Sequence, residues 1–248
     1  DPARLLEHSK RLDADQGNLS IALCDLCDAP ASEMPDDPEF ARPFIQAGAD
    51  VNVAPPPLNL APVFGAARQG KAETANALIE ANADVTKVDN IGRGSLRVAA
   101  QKGHAATVQL LIEARANLDR VGDTVKQTAL VAATFKGDME SAKCLVAARS
   151  NLDVKGTDGY SALGLAMWNG HAEIAKLLIE AGADTVNTDN SGTPPWEQQS
   201  AEALRGCRAV LHFAEEHKKK SSSLPRALSP PGQPAIAAQH YITMATER

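Results

Sequence analysis

Aromatic side chains are scarce in this sequence, and their scarcity limits the kind of core that the chain can build. Phe, Tyr and Trp together make up 4% of the 248 residues, whereas hydrophobic residues as a whole make up 44%. A core of this composition must consist largely of Ala, Val, Leu and Ile. Such side chains suit thin helices that pack closely. The composition therefore disfavours a large sheet and favours a helical fold.

Basic charge, cysteine and long apolar runs are also in short supply. The net charge is -6, which disfavours a nucleic-acid-binding protein because such proteins usually carry a basic surplus. The four cysteines are too few for a disulfide framework, so we expect a reducing compartment, the cytoplasm or the nucleus. No apolar run approaches the roughly 20 residues that span a bilayer, and the N-terminal residues lack the pattern of a secretory signal. We therefore expect neither a nucleic acid nor a membrane as partner.

What the sequence does contain is a regular period. Two sets of landmark residues recur at the same interval, the last residues of Gly-Ala-Asp-like elements and a set of glycines. The intervals are 34, 33, 34 and 33 residues for the first set and 33, 34 and 33 residues for the second. The landmarks are Asp50, Asp84, Asn117, Asn151 and Asp184, and Gly70, Gly103, Gly137 and Gly170. Because both sets share one period, the sequence predicts an array of structural repeats.

Each period contains the same order of segments. Small residues such as Ala99 and Ala100 precede the landmark glycine, which predicts a closely packed helix that ends at that glycine. Apolar residues three and four positions apart, as in 108–112, predict a second, amphipathic helix. A polar stretch with glycine, such as 88–92, predicts a turn or hairpin. One such unit cannot bury both helix faces, so the sequence predicts an all-α solenoid of about four stacked helix–turn–helix units.

These residues resemble the ankyrin-repeat family, most clearly at 48–52, 159–163 and 169–184. The resemblance extends over about residues 40–214 and implies an ankyrin-repeat solenoid with short hairpin loops and degenerate capping units. The Thr-Pro-Leu-His element of that family is altered in every unit, and no unit keeps its histidine. The four units read Ala61-Pro62-Val63-Phe64, Gly94-Ser95-Leu96-Arg97, Thr128-Ala129-Leu130-Val131 and Ser161-Ala162-Leu163-Gly164.

Two arginines stand where the repeat ends its second helix. Arg115 and Arg149 occupy the position at which glycine is comfortable. A residue with a side chain is strained there if the backbone keeps a positive φ. The sequence therefore predicts an array that is less stable than one with glycine at both positions.

The N-terminal residues 1–39 depart from the repeat. We predict a helical cap there, with short helices at 3–13 and 19–27, followed by a Pro-rich acidic loop or disordered linker. Pro43 lies where later units have an apolar residue inside a helix. The first helix of the array is therefore predicted to kink or to begin late.

The C-terminal part departs from the repeat as well. Residues 40–214 are predicted to hold the array and a closing helix, whose apolar face would include Leu204, Cys207 and Val210. Residues 215–248 are rich in Lys, Ser and Pro, and too poor in apolar residues to bury a core. They are predicted to be a disordered tail.

No arrangement of catalytic residues is visible. Cys24 and Cys27 have the spacing of metal ligands, but a zinc site needs four ligands and no second pair lies at a suitable distance. They also fit a buried helix face. His104 and His171 each follow a landmark glycine without a matched nucleophile, which favours a structural role. The chain is predicted to be no enzyme and to need no metal or cofactor.

The resemblance also implies where a partner would bind. In the ankyrin-repeat family the two residues before each landmark glycine face a concave groove, and the hairpin tips extend it. Here this column mixes cations with two of the few aromatic residues, which is typical of interface anchors. In an alternative reading, Trp168 folds back against Met167 and the neighbouring helix. The predicted binding residues are Arg68, Gln69, Gln101, Lys102, Phe135, Lys136, Trp168 and Asn169 in the groove, and Arg93, Gln127 and Tyr160 in the hairpins.

The predicted function is that of a non-catalytic, monomeric protein-interaction module. Its partner would be a protein or peptide with acidic and apolar residues. A second reading makes the chain the regulatory or targeting segment of a larger enzyme, such as a kinase or ubiquitin ligase, because the sequence begins with Asp1 rather than Met. A third reading is a metal or redox protein that uses Cys24 and Cys27.

Overall fold

A computed structural model describes residues 16–122, 126–157, 159–185, 210 and 212–213. Within these residues the chain forms ten α-helices and one 3₁₀ helix. The part of the chain described contains no strand, and its one isolated β-bridge joins Val88 to Gly94. The prediction of an all-α repeat array is confirmed.

The helices follow one another as an N-terminal pair and four regular pairs. The N-terminal elements are α1 (Gln16–Asp28), the 3₁₀ helix (Pro38–Phe40) and α2 (Arg42–Gln46). The regular pairs are α3 (Pro62–Gln69) with α4 (Ala72–Glu80), α5 (Ser95–Lys102) with α6 (Ala105–Glu113), α7 (Ala129–Lys136) with α8 (Met139–Ala147), and α9 (Ala162–Trp168) with α10 (Ala172–Glu180).

The pairs stack in two layers. The inner helices pack on one another in the order α1, α3, α5, α7 and α9, and the outer helices pack in the order α4, α6, α8 and α10. The small residues predicted to allow close approach, such as Ala99 and Ala100, are fully buried. On the outer layer, Ile174 and Leu178 of α10 are buried while Glu173 and Glu180 are exposed. The core therefore runs through the stack from one unit to the next.

The helix ends follow the landmark residues. The inner helices α3, α5 and α7 end on glycines in the left-handed region, with φ of 75°, 83° and 78°. The outer helices are followed by one residue of positive φ in every unit. These residues are Gly48 (88°), Asn82 (64°), Arg115 (61°), Arg149 (63°) and Gly182 (91°). The prediction that Arg115 and Arg149 stand at strained positions is confirmed.

Hydrogen bonds along one edge of the stack link successive units. The side chain two residues after an Asp or Asn landmark accepts a bond from the backbone N–H of the next landmark. The pairs are Asn52 with Asp84 (2.7 Å), Asp119 with Asn151 (2.8 Å) and Asp153 with Asp184 (2.8 Å). We call these bonds the edge ladder. Thr86 has the same position but donates its hydroxyl to Asp84 Oδ1 (2.6 Å).

The N-terminal cap is helical, and it begins earlier than predicted. Helix α1 covers the helix predicted at 19–27 and begins at Gln16, whereas the helix predicted at 3–13 lies outside the described residues. Helix α2 begins at Arg42 with Pro43 in its first turn, so the late start is confirmed.

The Pro-rich acidic segment between α1 and α2 is a loop fixed by one carboxylate. Asp36 accepts bonds from the backbone N–H groups of Glu73 and Thr74 and from the Thr74 hydroxyl, each at 3.0 Å. A carboxylate stabilises the N-terminal turn of a helix because that turn has free N–H groups and a partial positive charge. The loop is thereby tied to the start of α4.

Little of the C-terminal part is described. Val210 is helical and buried in the core. The rest of the predicted apolar face of the closing helix, including Leu204 and Cys207, lies outside the described residues, as does the predicted tail at 215–248.

Candidate partner-binding surface

In the four regular pairs, only the last residues of each inner helix lie outside the core. In α3, α5 and α7 the first six residues are all buried, and in α9 the buried run is Ala162–Met167. The two residues that precede the landmark glycines are therefore the side chains that this layer presents to the outside. In the three later units they are Gln101 and Lys102, Phe135 and Lys136, and Trp168 and Asn169, all of them exposed.

Phe135 and Trp168 stand out among the exposed side chains. Phe135 is 60% exposed and Trp168 is 36% exposed. They lie at equivalent positions of α7 and α9, which pack against each other. Large apolar side chains normally contribute to stability by burial, so the exposure of two of them at equivalent positions of neighbouring helices makes this surface the candidate site.

Tyr160 supports Trp168 and does not extend the surface. It is 7% exposed, and its ring centroid lies 5.9 Å from that of Trp168 with the planes tilted by 32°. An aromatic pair at this distance is favourable and orients both rings. The prediction that Tyr160 forms part of the exposed surface is corrected, because its ring is covered beside that of Trp168.

Arg68 and Gln69 hold the N-terminal cap. Arg68 Nη2 forms an ion pair with Asp28 Oδ2, and Gln69 Nε2 donates to Asp28 O at 2.8 Å. Both side chains are half-buried at the junction of α1 and α3. The cations that remain exposed in the column are Lys102 and Lys136, so its cationic part lies closer to the aromatic residues than predicted.

The predicted hairpin residues Arg93 and Gln127 are also engaged within the protein. Arg93 Nε donates to the buried carboxylate of Asp89 at 2.6 Å. Gln127 Oε1 accepts a bond of 3.3 Å from Arg97 Nη2. Both residues are half-buried, so they stabilise the hairpins and add little to the exposed surface of the groove.

Arg97 is a notable residue that the sequence reasoning did not select. It is 5% exposed, and no hydrogen-bond partner lies near its Nε and Nη1 atoms. Burial, with a further contribution from Arg93, lowers the pKa of Arg97, while Asp89 opposes this shift. The sequence already held a sign of this, since Arg97 stands where the ankyrin-repeat family, which these residues resemble, carries histidine. A cation in that buried place requires a compensating group.

The cysteines of α1 do not have the properties of reactive thiols. Cys24 and Cys27 are both buried and free. Burial, with smaller contributions from Asp25, Asp50 and Asp28, raises the pKa of Cys24 to about 12. Burial also raises the pKa of Cys27. A protonated thiol is a poor nucleophile, which argues against a redox or nucleophilic role for these two cysteines.

The described residues contain neither a group of metal-ligating side chains nor a long apolar helix. Among them, no three His, Cys, Asp or Glu side chains are grouped closely enough to hold a metal ion. None of the helices described has both the length and the apolar character needed to cross a membrane.

Comparison with known proteins identifies the repeats. A family model described as ankyrin repeats in three copies matches residues 31–122 and 96–189, which together cover more than half of the chain. The palmitoyltransferase AKR1 of Lachancea kluyveri is 30% identical over 174 residues, 69% of this chain but 22% of that protein. The crystal structure of EF0377, an ankyrin repeat protein, matches with a TM-score of 0.65 and 23% identity over 76% of this chain and 97% of that one. The last likeness shows a shared fold.

Proposed function

The chain belongs to the ankyrin-repeat family, and from that premise we propose that it is a non-catalytic interaction module that binds a protein or peptide on its exposed inner-helix column. Ankyrin repeats indicate a protein-interaction role. From here on, the column means the six exposed residues of the predicted set, without the half-buried Arg68 and Gln69. These six are Gln101, Lys102, Phe135, Lys136, Trp168 and Asn169.

One observation carries the proposal, namely the exposure of Phe135 and Trp168 on helices that otherwise bury their side chains. Rigid aromatic anchors of this kind provide much of the binding energy at protein interfaces. The ring of Tyr160 beside Trp168 limits how far the indole can move. A pre-oriented anchor loses less conformational entropy when a partner covers it.

The charges of the column favour an acidic partner. Lys102 and Lys136 are exposed there, and the column contains no Asp or Glu, although the chain as a whole has a net charge of -6. Local positive charge attracts acidic segments and speeds their association. The partner that fits best has apolar residues for Phe135 and Trp168 and acidic residues for the two lysines.

The proposal includes the state and location of the protein. We expect a monomer that works in the cytoplasm or the nucleus, with neither nucleic acid nor membrane as its target. The free cysteines Cys24, Cys27 and Cys144 support a reducing compartment. The overall negative charge argues against nucleic acid.

A displayed library of short peptides tests the proposal. Selection on the wild-type chain is expected to enrich sequences with acidic and apolar residues. Phe135→Ala and Trp168→Ala are each expected to weaken an enriched peptide at least about tenfold, since interface anchors contribute about 2 kcal/mol or more. Binding is measured by calorimetry on the full chain.

A matched control separates the column from general surface hydrophobicity. Leu58 is also large, apolar and exposed, but it lies in the loop before α3 and outside the column. Leu58→Ala should bind the peptide as the wild type does, and helical content should be unchanged in all variants. Normal binding by the Phe135→Ala, Trp168→Ala double variant would show that the column is not the binding surface.

A second candidate makes the array the recognition part of a longer enzyme. It is favoured by the likeness to a palmitoyltransferase, of which this chain spans about a fifth. In this case the repeats would bind a substrate or regulator, and catalysis would reside in other residues. Sequencing the complete reading frame tests the idea, and a frame without any catalytic domain would refute it.

A further inference from the structure

A small cavity lies at the start of the second regular pair, between the loop after α4 and the loop after α6. Its volume is about 90 Å³, and the residues around it include Thr86, Ser95, Arg97, Asn117 and Arg120. A single water needs about 10–15 Å³ of such space, so the cavity has room for a group of several heavy atoms. Its wall combines the turn before α5, the start of α5 and the loop after α6.

The cavity coincides with the interruption of the edge ladder. At the three other junctions an Asn or Asp side chain reaches the next landmark N–H. At this junction Thr86 stands in that place, and its hydroxyl donates to Asp84. No ladder bond between Thr86 and Asn117 is present among the described residues. The shorter side chain therefore leaves space beside Asn117.

Buried donors without partners border this space. Arg97 is 5% exposed and bonds Gln127 through Nη2, but its Nε and Nη1 lack a hydrogen-bond partner, as does the fully buried hydroxyl of Ser95. A buried polar atom without a hydrogen-bond partner lowers the stability of the fold unless another group bonds it. Two donor-bearing residues at one cavity point to an occupant that accepts hydrogen bonds.

The electrostatics of the wall favour a negative charge. Arg97 and Arg120 are both cations, and none of the residues that line the cavity is acidic. The nearby carboxylate of Asp89 is held by Arg93. Helix α5 begins here, and its N-cap Gly94 has no side chain to bond the first-turn N–H groups. These groups add a partial positive charge.

We propose that this cavity is a binding site for a small oxyanion, a carboxylate or a phosphate group, held by the guanidinium of Arg97 and the hydroxyl of Ser95. Arg120 adds charge at the wall. The planar guanidinium suits two oxygens of either group. The site is distinct from the aromatic column and does not depend on it.

Titration of the full chain with simple anions tests this site. Inorganic phosphate and acetate are added separately at constant ionic strength, with sodium chloride as the balancing salt. Binding is followed by calorimetry, by the thermal midpoint and by the side-chain Nε–H NMR signal of Arg97. A specific anion should raise the midpoint in a saturable manner and shift that signal.

Two variants and a control locate the binding. Arg97→Met should weaken binding about tenfold or more, because it removes a charge-assisted contact. Ser95→Ala should weaken it less, and it serves as the second test if the first variant does not fold. Lys143→Gln also removes one positive charge, but from an exposed ion pair with Glu140 on α8, and should bind as the wild type does.

The results distinguish a phosphate group from a carboxylate, and they decide whether the proposal stands. Saturable binding of phosphate alone indicates a phosphate group, and saturable binding of acetate alone indicates a carboxylate. Binding of both supports a general oxyanion site. The proposal is overturned if neither anion binds in a saturable manner, or if Arg97→Met and Ser95→Ala bind with wild-type affinity.

Discussion

How closely one repeat packs against the next can be tested by replacing Gly70 with alanine and measuring the loss of stability. Gly70 ends α3 with φ of +75°, and a Cβ atom there would lie 2.5 Å from Nδ1 of His104. The His104 ring cannot move away freely, because its Nε2 atom lies 3.2 Å from the carbonyl oxygen of Arg68 in a hydrogen bond. Gly103 is the equivalent residue one unit later, with φ of +83°, but its Cβ would have its nearest neighbours at 3.7 Å.

Both substitutions incur the cost of a left-handed backbone, but only Gly70→Ala also incurs a steric collision. The left-handed backbone costs an L-residue about 1–2 kcal/mol, and the reduced freedom of the unfolded chain offsets about 0.5–1 kcal/mol of this. Gly103→Ala should therefore destabilise by roughly 0.5–1 kcal/mol. Gly70→Ala adds the collision with His104, for which overpacking suggests a further ~1–3 kcal/mol. For a chain of this size that difference lowers Tm by roughly 2–12 °C.

Urea and thermal unfolding followed by far-UV circular dichroism provide the assay. A double variant with His104→Ala removes the ring that alanine at position 70 would strike. Its loss of stability should be smaller than the sum of the two single losses. Equal stability of the Gly70→Ala and Gly103→Ala proteins, or strict additivity in the double variant, would refute the argument that the His104 ring leaves no room for a side chain at position 70.

Two further predictions concern strain and buried thiols. Arg115→Gly and Arg149→Gly should each raise the free energy of unfolding by about 0.5–1 kcal/mol, because φ is 61° and 63° there. Gly182→Ala, with nothing within 4 Å of the added atom, should lower it. Because the pKa of Cys24 is raised from 9 to about 12 in the folded protein, the unfolded chain loses this proton first, so stability should fall as pH rises from 9 towards 12. Cys24→Ala should make this fall shallower in urea titrations and leave the part that Cys27 contributes, because burial raises the pKa of that thiol as well; a slope unchanged from the wild type would contradict the prediction.

The repeats could be predicted from the sequence because their signals are local. Each landmark glycine ends a helix in the left-handed region within the same unit, as Gly103 does for α5. The exposure of Phe135 and Trp168 agrees with the groove position that the family resemblance implied, since in α7 and α9 the buried run ends just before these residues. Arg115 and Arg149 could be identified as strained for the same reason.

Other roles depend on partners distant in sequence and could not be predicted. Arg68 bonds Asp28, 40 positions away, and this contact cannot be deduced from either residue alone. Arg97 bonds Gln127, 30 positions away, and its burial could not be deduced from either residue alone. Tyr160 is covered because its ring meets that of Trp168. In each case a periodic pattern located the residue, but only the packing of neighbouring units decided its function.

The interrupted edge ladder has a mechanical consequence. A stack of units is held only by contacts between neighbours, so its resistance to bending and to partial unfolding is set junction by junction. The joint between Thr86 and Asn117 has one fewer cross-tie than those on either side of it. We expect the stack to flex there first, dividing a front half that contains α3 and α4 from a rear half that carries Phe135 and Trp168.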